Sequence, residues 1–343
     1  MSLSRSRFPR LLTVVGAALA LTLAACSSGS DSTDSSGASG AASAQKIAAI
    51  FSGPTTDADY NSLGLLALEA AKKSGAQTNY AEKVAVPDVE ARINEFLADG
   101  STLIWTHGSQ FFDATAKAAS ANPDVTFIGE FDGKPADQPA NLWVIDRQFH
   151  LGFYGVGVLA GQLSKSGTIG YVGGLSLPFS YAEVHAMQQA LADSGSKATL
   201  KPVWTGDFND VTKAQQFTTQ LLGSGADVIV GSLNAGAQGT FKAFEGRPAG
   251  EGWVTAKYTD KSSLAGDHYA GSVLYDFTQP LSEILGKVES GTRTGYYPLG
   301  FDTGVSIQTS AKVPAEAKKA VDDAIAKVKA GDITVKLDTS KVS

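Results

Sequence analysis

Short apolar runs alternate with amphipathic stretches from Lys46 onward, and the alternation starts afresh at Phe149. This pattern constrains the fold more than any other feature. The run Lys46-Ile47-Ala48-Ala49-Ile50-Phe51 ends in Ser52-Gly53-Pro54 and predicts a buried strand feeding a loop. Residues 62–74 are amphipathic and stop at Gly75, which predicts a helix. Strands are predicted at 77–81, 102–106, 125–129 and 142–146, with helices at 87–99 and 113–121. The second series opens with a long apolar helix at 149–163. It continues with strands at 168–172, 200–205, 227–231 and 254–258 and helices near 181–194 and 212–223. Repeated βαβ units imply mostly parallel sheets covered on both faces. Two series imply an α/β protein of two Rossmann-like lobes. Ligands in such sheets bind beyond the carboxyl ends of the strands. The loops of interest are therefore 52–61, 106–112, 130–134, 173–181, 206–210, 232–239 and 258–262.

The residues before Lys46 predict a different kind of segment. Arg5, Arg7 and Arg10 precede a nearly uninterrupted apolar stretch from Leu11 to Ala24. That stretch is short for a membrane span, which takes about 20 apolar residues, and suits a signal peptide. Leu23-Ala24-Ala25-Cys26 resembles a bacterial lipobox, and Cys26 is the only cysteine in the chain. A lone cysteine cannot form an internal disulfide. Residues 1–25 are expected to be a lipoprotein signal peptide, with Cys26 the lipidated residue. Residues 26–45, rich in Ser, Gly, Ala and Asp, then form a flexible tether with too little apolar surface to fold. More than one acyl chain gives a lasting anchor. The expected location is the extracytoplasmic face of the cell membrane.

The formal net charge is −6, and loss of the three leader arginines leaves the chain near −9. Such a charge argues against nucleic acid, which rewards a basic face. Chemical motifs are sparse. Gly155-Val156-Gly157-Val158-Leu159-Ala160-Gly161 looks like a nucleotide fingerprint but lies inside an apolar helix, where small residues serve close packing. The four histidines are scattered and no cysteine assists them, so no metal site is expected. No Gly-x-Ser-x-Gly elbow and no carboxylate pair stands out, so neither enzyme activity nor a cofactor is expected.

Several loop motifs occur in order behind the lipobox. They are Asp57-Ala58-Asp59-Tyr60-Asn61, Gly108-Ser109-Gln110-Phe111-Phe112-Asp113-Ala114, Ile169-Gly170-Tyr171-Val172-Gly173-Gly174, Gly206-Asp207-Phe208-Asn209-Asp210, Gly225-Ala226-Asp227-Val228-Ile229 and Tyr258-Thr259-Asp260. In this order the chain resembles the basic membrane protein family of substrate-binding lipoproteins over nearly all of 46–335. The known ligands of that family are largely purine nucleosides. The resemblance implies a type I periplasmic-binding-protein fold, with two lobes joined by three crossovers and closing on a ligand. It also implies an ABC transporter permease as partner. Lobe 1 is expected at 46–146 plus 259–294, and lobe 2 at 147–258 plus 295–343, in a monomer.

Carried over residue by residue, the resemblance implies ligand contacts from Asp57, Asp59, Tyr60, Asn61, His107, Phe111, Phe208, Asn234, Tyr258 and Asp260. The family's first loop reads Asp-Lys-Ser-Phe-Asn; here Tyr60 and Asn61 match in kind, while Ala58 and Asp59 replace Lys and Ser. Tyr258 stands near the family's ribose-gripping Asp, Tyr275-Asp276-Phe277 replaces a family Lys, and Leu151 replaces a Glu. Losing these charges removes a charge-assisted grip on sugar hydroxyls. The expected ligand is planar, a purine nucleobase or nucleoside-like molecule; a flavin or a sugar is the alternative. A ligand-sensing lipoprotein for signalling would use the same clamshell. A nucleoside hydrolase would need an aspartate-rich loop that the sequence lacks.

Overall fold

The computed structural model describes residues 45–342; the predicted leader, Cys26 and all but the last residue of the tether lie outside them. Two six-stranded sheets organise the rest. In lobe 1, β1 (Lys46–Phe51), β2 (Gln77–Ala81), β3 (Leu103–His107), β4 (Thr126–Phe131) and β5 (Leu142–Asp146) are joined late in the chain by β11 (Gly295–Pro298). Their order is β11-β5-β4-β3-β1-β2, parallel throughout. Helices α1 (Tyr60–Lys73), α2 (Val89–Ala98) and α3 (Phe112–Ala121) connect the first strands, and α9 (Thr278–Glu289) packs on α1. The central strand β3 is buried along its whole length, whereas edge strand β2 is mostly exposed. Continuous apolar runs therefore occupy the middle of the sheet, as two-sided burial requires.

Lobe 2 contains α4 (Phe149–Leu163), β6 (Thr168–Gly173), α5 (Pro178–Asp193), β7 (Thr199–Trp204), α6 (Val211–Gly223), β8 (Val228–Ser232), α7 (Ala237–Lys242) and β9 (Trp253–Tyr258). Short α8 (Ser262–Ala265) leads to β10 (Tyr269–Tyr275), and β12 (Val305–Thr309) and α10 (Ala315–Ala330) complete the lobe. The order is β12-β10-β9-β8-β6-β7, with only β12 antiparallel to its neighbour. Helix α5 begins three residues before the sequence expectation, because Pro178 is preset for a first helical turn.

The chain crosses between lobes after β5, after β10 and after β11. This corrects the expected boundaries. Segment 259–294 is not wholly in lobe 1, because β10 pairs with β9 through Ser272 and Ala256. Segment 295–343 is not wholly in lobe 2, because β11 pairs with β5 through Tyr297 and Ile145. Consecutive strands tend to lie side by side, and the brief α8 connection returns β10 directly to the sheet of β9.

The glycines of α4 serve packing. A Cβ on Gly157 would lie 2.8 Å from Met187 Cα of α5, and one on Gly155 would lie 2.3 Å from Ile307 Cδ1. Among the described residues, no helix is long and apolar enough to cross a membrane. Nor do three or more His, Cys, Asp or Glu residues group as a metal site there.

Candidate functional site

A cavity of about 320 Å³ lies between the lobes, at the carboxyl ends of the strands. Six of the seven loops singled out in the sequence line it, together with Arg147 at the first crossover. Its aromatic walls are Tyr60, Phe179, Phe208 and Tyr258, and its amides are Asn61, Gln110, Asn209 and Asn234. Rings supply flat apolar area, while amides offer both a donor and an acceptor.

Each wall is held from behind. Tyr60 begins α1 and stacks on His107, with centroids 3.9 Å apart and planes 16° from parallel. His107 Nε2 meets the Tyr60 carbonyl oxygen, which can only accept, at 2.8 Å, so Nε2 donates here. His107 Nδ1 meets Glu130 Oε1 at 2.5 Å, and the Tyr60 hydroxyl donates to Glu130 Oε2. Burial, then the Glu130 charge, push the Tyr60 hydroxyl well above its ordinary pKa, so it remains a donor. Asn61 is fixed by Asp57: its Nδ2 donates to Asp57 Oδ2 at 2.8 Å, and its Oδ1 accepts from Gly53 N at 3.1 Å.

In lobe 2, Phe208 lies against the backbone at Gly174, where a Cβ would sit 2.1 Å from its ring. Its carbonyl accepts from Asn234 N and Gly236 N, both at 3.0 Å. Phe208 and Phe179 are near parallel at 18°, with centroids 6.1 Å apart. Tyr258 has φ +77°, and Thr259 N donates across it to the Lys257 carbonyl. A non-glycine residue in that region costs about 1–3 kcal/mol, which the surrounding packing must offset.

Of the residues expected from the sequence, Tyr60, Asn61, Phe208, Asn234 and Tyr258 line the cavity. The others require correction. Asp57 is buried and accepts from Asn61 N and Ser62 N, so it caps α1. Asp59 pairs with Lys261 Nζ at 2.5 Å, linking the lobes outside the cavity. Burial pushes the Asp59 carboxyl up to about 7, against the pull of Lys261. His107 stands behind Tyr60 and is fully buried. Phe111 is sealed in the lobe 1 core among apolar side chains of α2, β3 and β4. Asp260 is exposed and accepts from Ser262 N at 2.8 Å and Gln308 Nε2 at 3.0 Å, capping a turn.

Besides Lys261, two buried cations were not anticipated. Arg147 meets Asp132 with three bonds of 2.7 to 3.1 Å, Ser109 Oγ at 2.6 Å and the Tyr60 hydroxyl at 3.3 Å. Burial opposes its charge most strongly, but Asp132, Tyr60 and Glu130 together outweigh that and hold its pKa well above the ordinary value. Lys257 is fully buried, 2.5 Å from Glu183 Oε1, and Glu183 Oε2 accepts from Tyr171 at 2.7 Å. Burial pulls the Lys257 ammonium down to about 8 against the pull of Glu183. Its signal in the sequence was a lysine inside an otherwise apolar strand. The signal for Arg147 was its place just beyond the carboxyl end of β5.

A family profile described as "ABC transporter substrate-binding protein PnrA-like" matches residues 44–335. Basic membrane protein A2 of Borrelia garinii subsp. bavariensis is 22% identical over 300 residues, covering 82% of this chain and 86% of the relative. A purine-binding protein of Brucella abortus is 27% identical over 188 residues, covering 54% of this chain and 53% of the relative. Among solved structures, an ABC transporter solute-binding protein from Aeropyrum pernix superposes with TM-score 0.73 at 17% identity, covering 84% of this chain and 92% of that one. Another, from Conexibacter woesei, gives TM-score 0.66 at 24% identity, covering 85% and 99%. These two likenesses bear on the fold: they match the two-lobed periplasmic-binding architecture described above.

Proposed function

This chain belongs to the PnrA-like family of ABC transporter substrate-binding proteins, and from that premise we propose that its ligand is a purine nucleobase or a closely related planar molecule. Proteins of this family bind small molecules and hand them to a permease; they are not enzymes. Their place is extracytoplasmic and membrane-associated. The observation that carries the ligand reading is the cavity wall: four aromatic side chains interleaved with amides, with Arg147 and Asp207 the only charged residues lining it among those described. The rings accept a flat ligand by stacking, and the amides read its edge. The Brucella relative, itself named a purine-binding protein, supports the same class. A tyrosine at 258 in place of a sugar-binding carboxylate favours the free base over the nucleoside. In this reading Cys26 carries the lipid anchor, the protein acts as a monomer, and its partner is an importer permease.

Micromolar binding corresponds to about 8 kcal/mol, within reach of one stacked ring and several buried hydrogen bonds. A thermal-shift panel of purine bases, purine and pyrimidine nucleosides, flavins and simple sugars tests the reading. A ligand at 100 times its Kd stabilises the folded protein by about 2.7 kcal/mol. Purine bases are expected to raise Tm by several degrees and nucleosides by less. A response to sugars or flavins alone would overturn the purine assignment. Mass spectrometry of the membrane-extracted protein is expected to find acyl groups on an N-terminal Cys26; an unmodified cysteine would overturn the anchor.

A further inference from the structure

We propose that Arg147 is the specificity-determining residue of the cavity: it offers one N–H to an uncharged acceptor on the ligand edge, and its compensated charge turns anions away. The inference rests on the planar-ligand reading above and narrows its chemistry.

A guanidinium has five N–H donors in a fixed fork. Nε and Nη2 spend theirs on Asp132 and Ser109, and Nη1 gives one to the Tyr60 hydroxyl. The second N–H of Nη1 has no acceptor among the described residues. Arg147 is 2% exposed, yet it lines the cavity. An unspent donor in a desolvated site favours a ligand that supplies an acceptor and penalises one that leaves it unpaired.

The charge on Arg147 does not make the site a receptor for anions. Asp132 takes it through a forked pair, and Glu130 lies just beyond Tyr60. The other two buried cations nearby are spent in the same way, Lys257 on Glu183 and Lys261 on Asp59. Asp207 adds a carboxylate to the cavity wall. A phosphate or carboxylate would lose its hydration here without gaining a free cation. A carbonyl oxygen or an unprotonated ring nitrogen needs no countercharge.

Arg147 also ties the reading of that edge to the approach of the lobes. It follows β5 of lobe 1, but its guanidinium lies 4.6 Å from the Phe149 ring centroid and 4.9 Å from that of Phe179, both in lobe 2. The group that reads the ligand therefore touches a ring of each wall, Tyr60 by hydrogen bond and Phe179 by its face.

Calorimetry on the purified protein tests the proposal. The panel pairs neutral with anionic ligands: adenine with AMP, and nicotinamide with nicotinate; indole serves as a flat ring lacking an aza acceptor. The neutral partner should bind at least about tenfold tighter than its anionic counterpart, the equivalent of one charge-assisted hydrogen bond and more. Arg147→Met combined with Asp132→Asn removes cation and carboxylate together, so no buried charge is orphaned. It should keep a Tm near that of the wild type, weaken the tightest neutral ligand about tenfold or more, and narrow the gap to indole. Asp132→Asn alone should raise affinity for AMP and nicotinate, a change that a purely structural role would not produce. An anionic ligand as the tightest binder, or a double variant with wild-type affinities, overturns the proposal. Nicotinamide binding with adenine silent would overturn the purine reading while upholding the role of Arg147.

Discussion

Arg147 and Lys257 are the same device placed against the same two rings of one wall. Each is a buried cation held by one carboxylate, and each lies over the rings of Phe149 and Phe179. Lys257 is sealed: it is fully buried, does not line the cavity, and also contacts Phe153, Tyr258 and Tyr275. Arg147 lines the cavity, and one of its N–H groups has no acceptor among the described residues. A sealed pair can serve only the wall behind which it sits. A pair at the surface of the cavity can also meet a ligand. The difference separates residues that shape the site from those that read its contents.

The largest expected effect falls on the sealed pair. Glu183→Ala removes the carboxylate that compensates the buried Lys257 amine, and should lower the unfolding free energy by about 3–5 kcal/mol in urea denaturation. Replacing both members, Lys257→Met with Glu183→Leu, should recover most of that loss, because a packed apolar pair needs no desolvation. Equal destabilisation by the single and the double variant would break the comparison, since the charge pair would then not be what holds the wall.

A third carboxylate–cation pair sharpens the contrast, because it bridges the lobes. Asp59 faces Lys261, Asp57 and Thr259, and its carboxyl sits at about 7 against an ordinary 3.8. A raised value means that the folded, closed form binds a proton more tightly than the unfolded chain. Its contribution to stability is therefore fully present below the ordinary value and is lost as pH rises through about 7. Melting temperature measured from pH 5 to 8 should fall up to about pH 7 and level off above it, and Asp59→Asn should flatten the profile. A wild-type profile already flat would remove Asp59 from the account. The smallest effect belongs to Asp260→Ala. It loses one exposed turn cap, worth about 1 kcal/mol or less, and should leave ligand affinity unchanged in the same calorimetry.

The fold was legible in the sequence wherever burial on both faces forces an uninterrupted apolar run, as at Ile47–Phe51 and Leu142–Ile145. The loops that line the cavity were legible for a related reason: parallel strands end on one side, so their carboxyl-terminal loops converge. Partnerships were not legible. Lys257 and Glu183 lie 74 positions apart, and Arg147 and Asp132 lie 15 apart, each just beyond the end of one of two neighbouring strands. Nothing local joins such pairs; only the packing of strands and helices does. Phe111 was misplaced for the opposite reason. It follows a strand end as a ligand-facing aromatic would, but one turn of helix swings it into the core. The lobe boundaries failed where β10 returns to its own sheet after a helix of only four residues.

The three crossovers have a mechanical meaning. They leave from β5, β10 and β11, and these strands with β12 form one margin of each sheet. Two backbone bonds cross-link all three passages, Leu299 N to the Asp146 carbonyl and Asp276 N to the Gly304 carbonyl, each 2.8 Å. Three covalent straps along one margin suppress sliding and twisting and leave a single swing as the soft coordinate. One pair of probes on the opposite margin, at Lys83 and Asp207, would then report the whole state of the clamshell as a single angle.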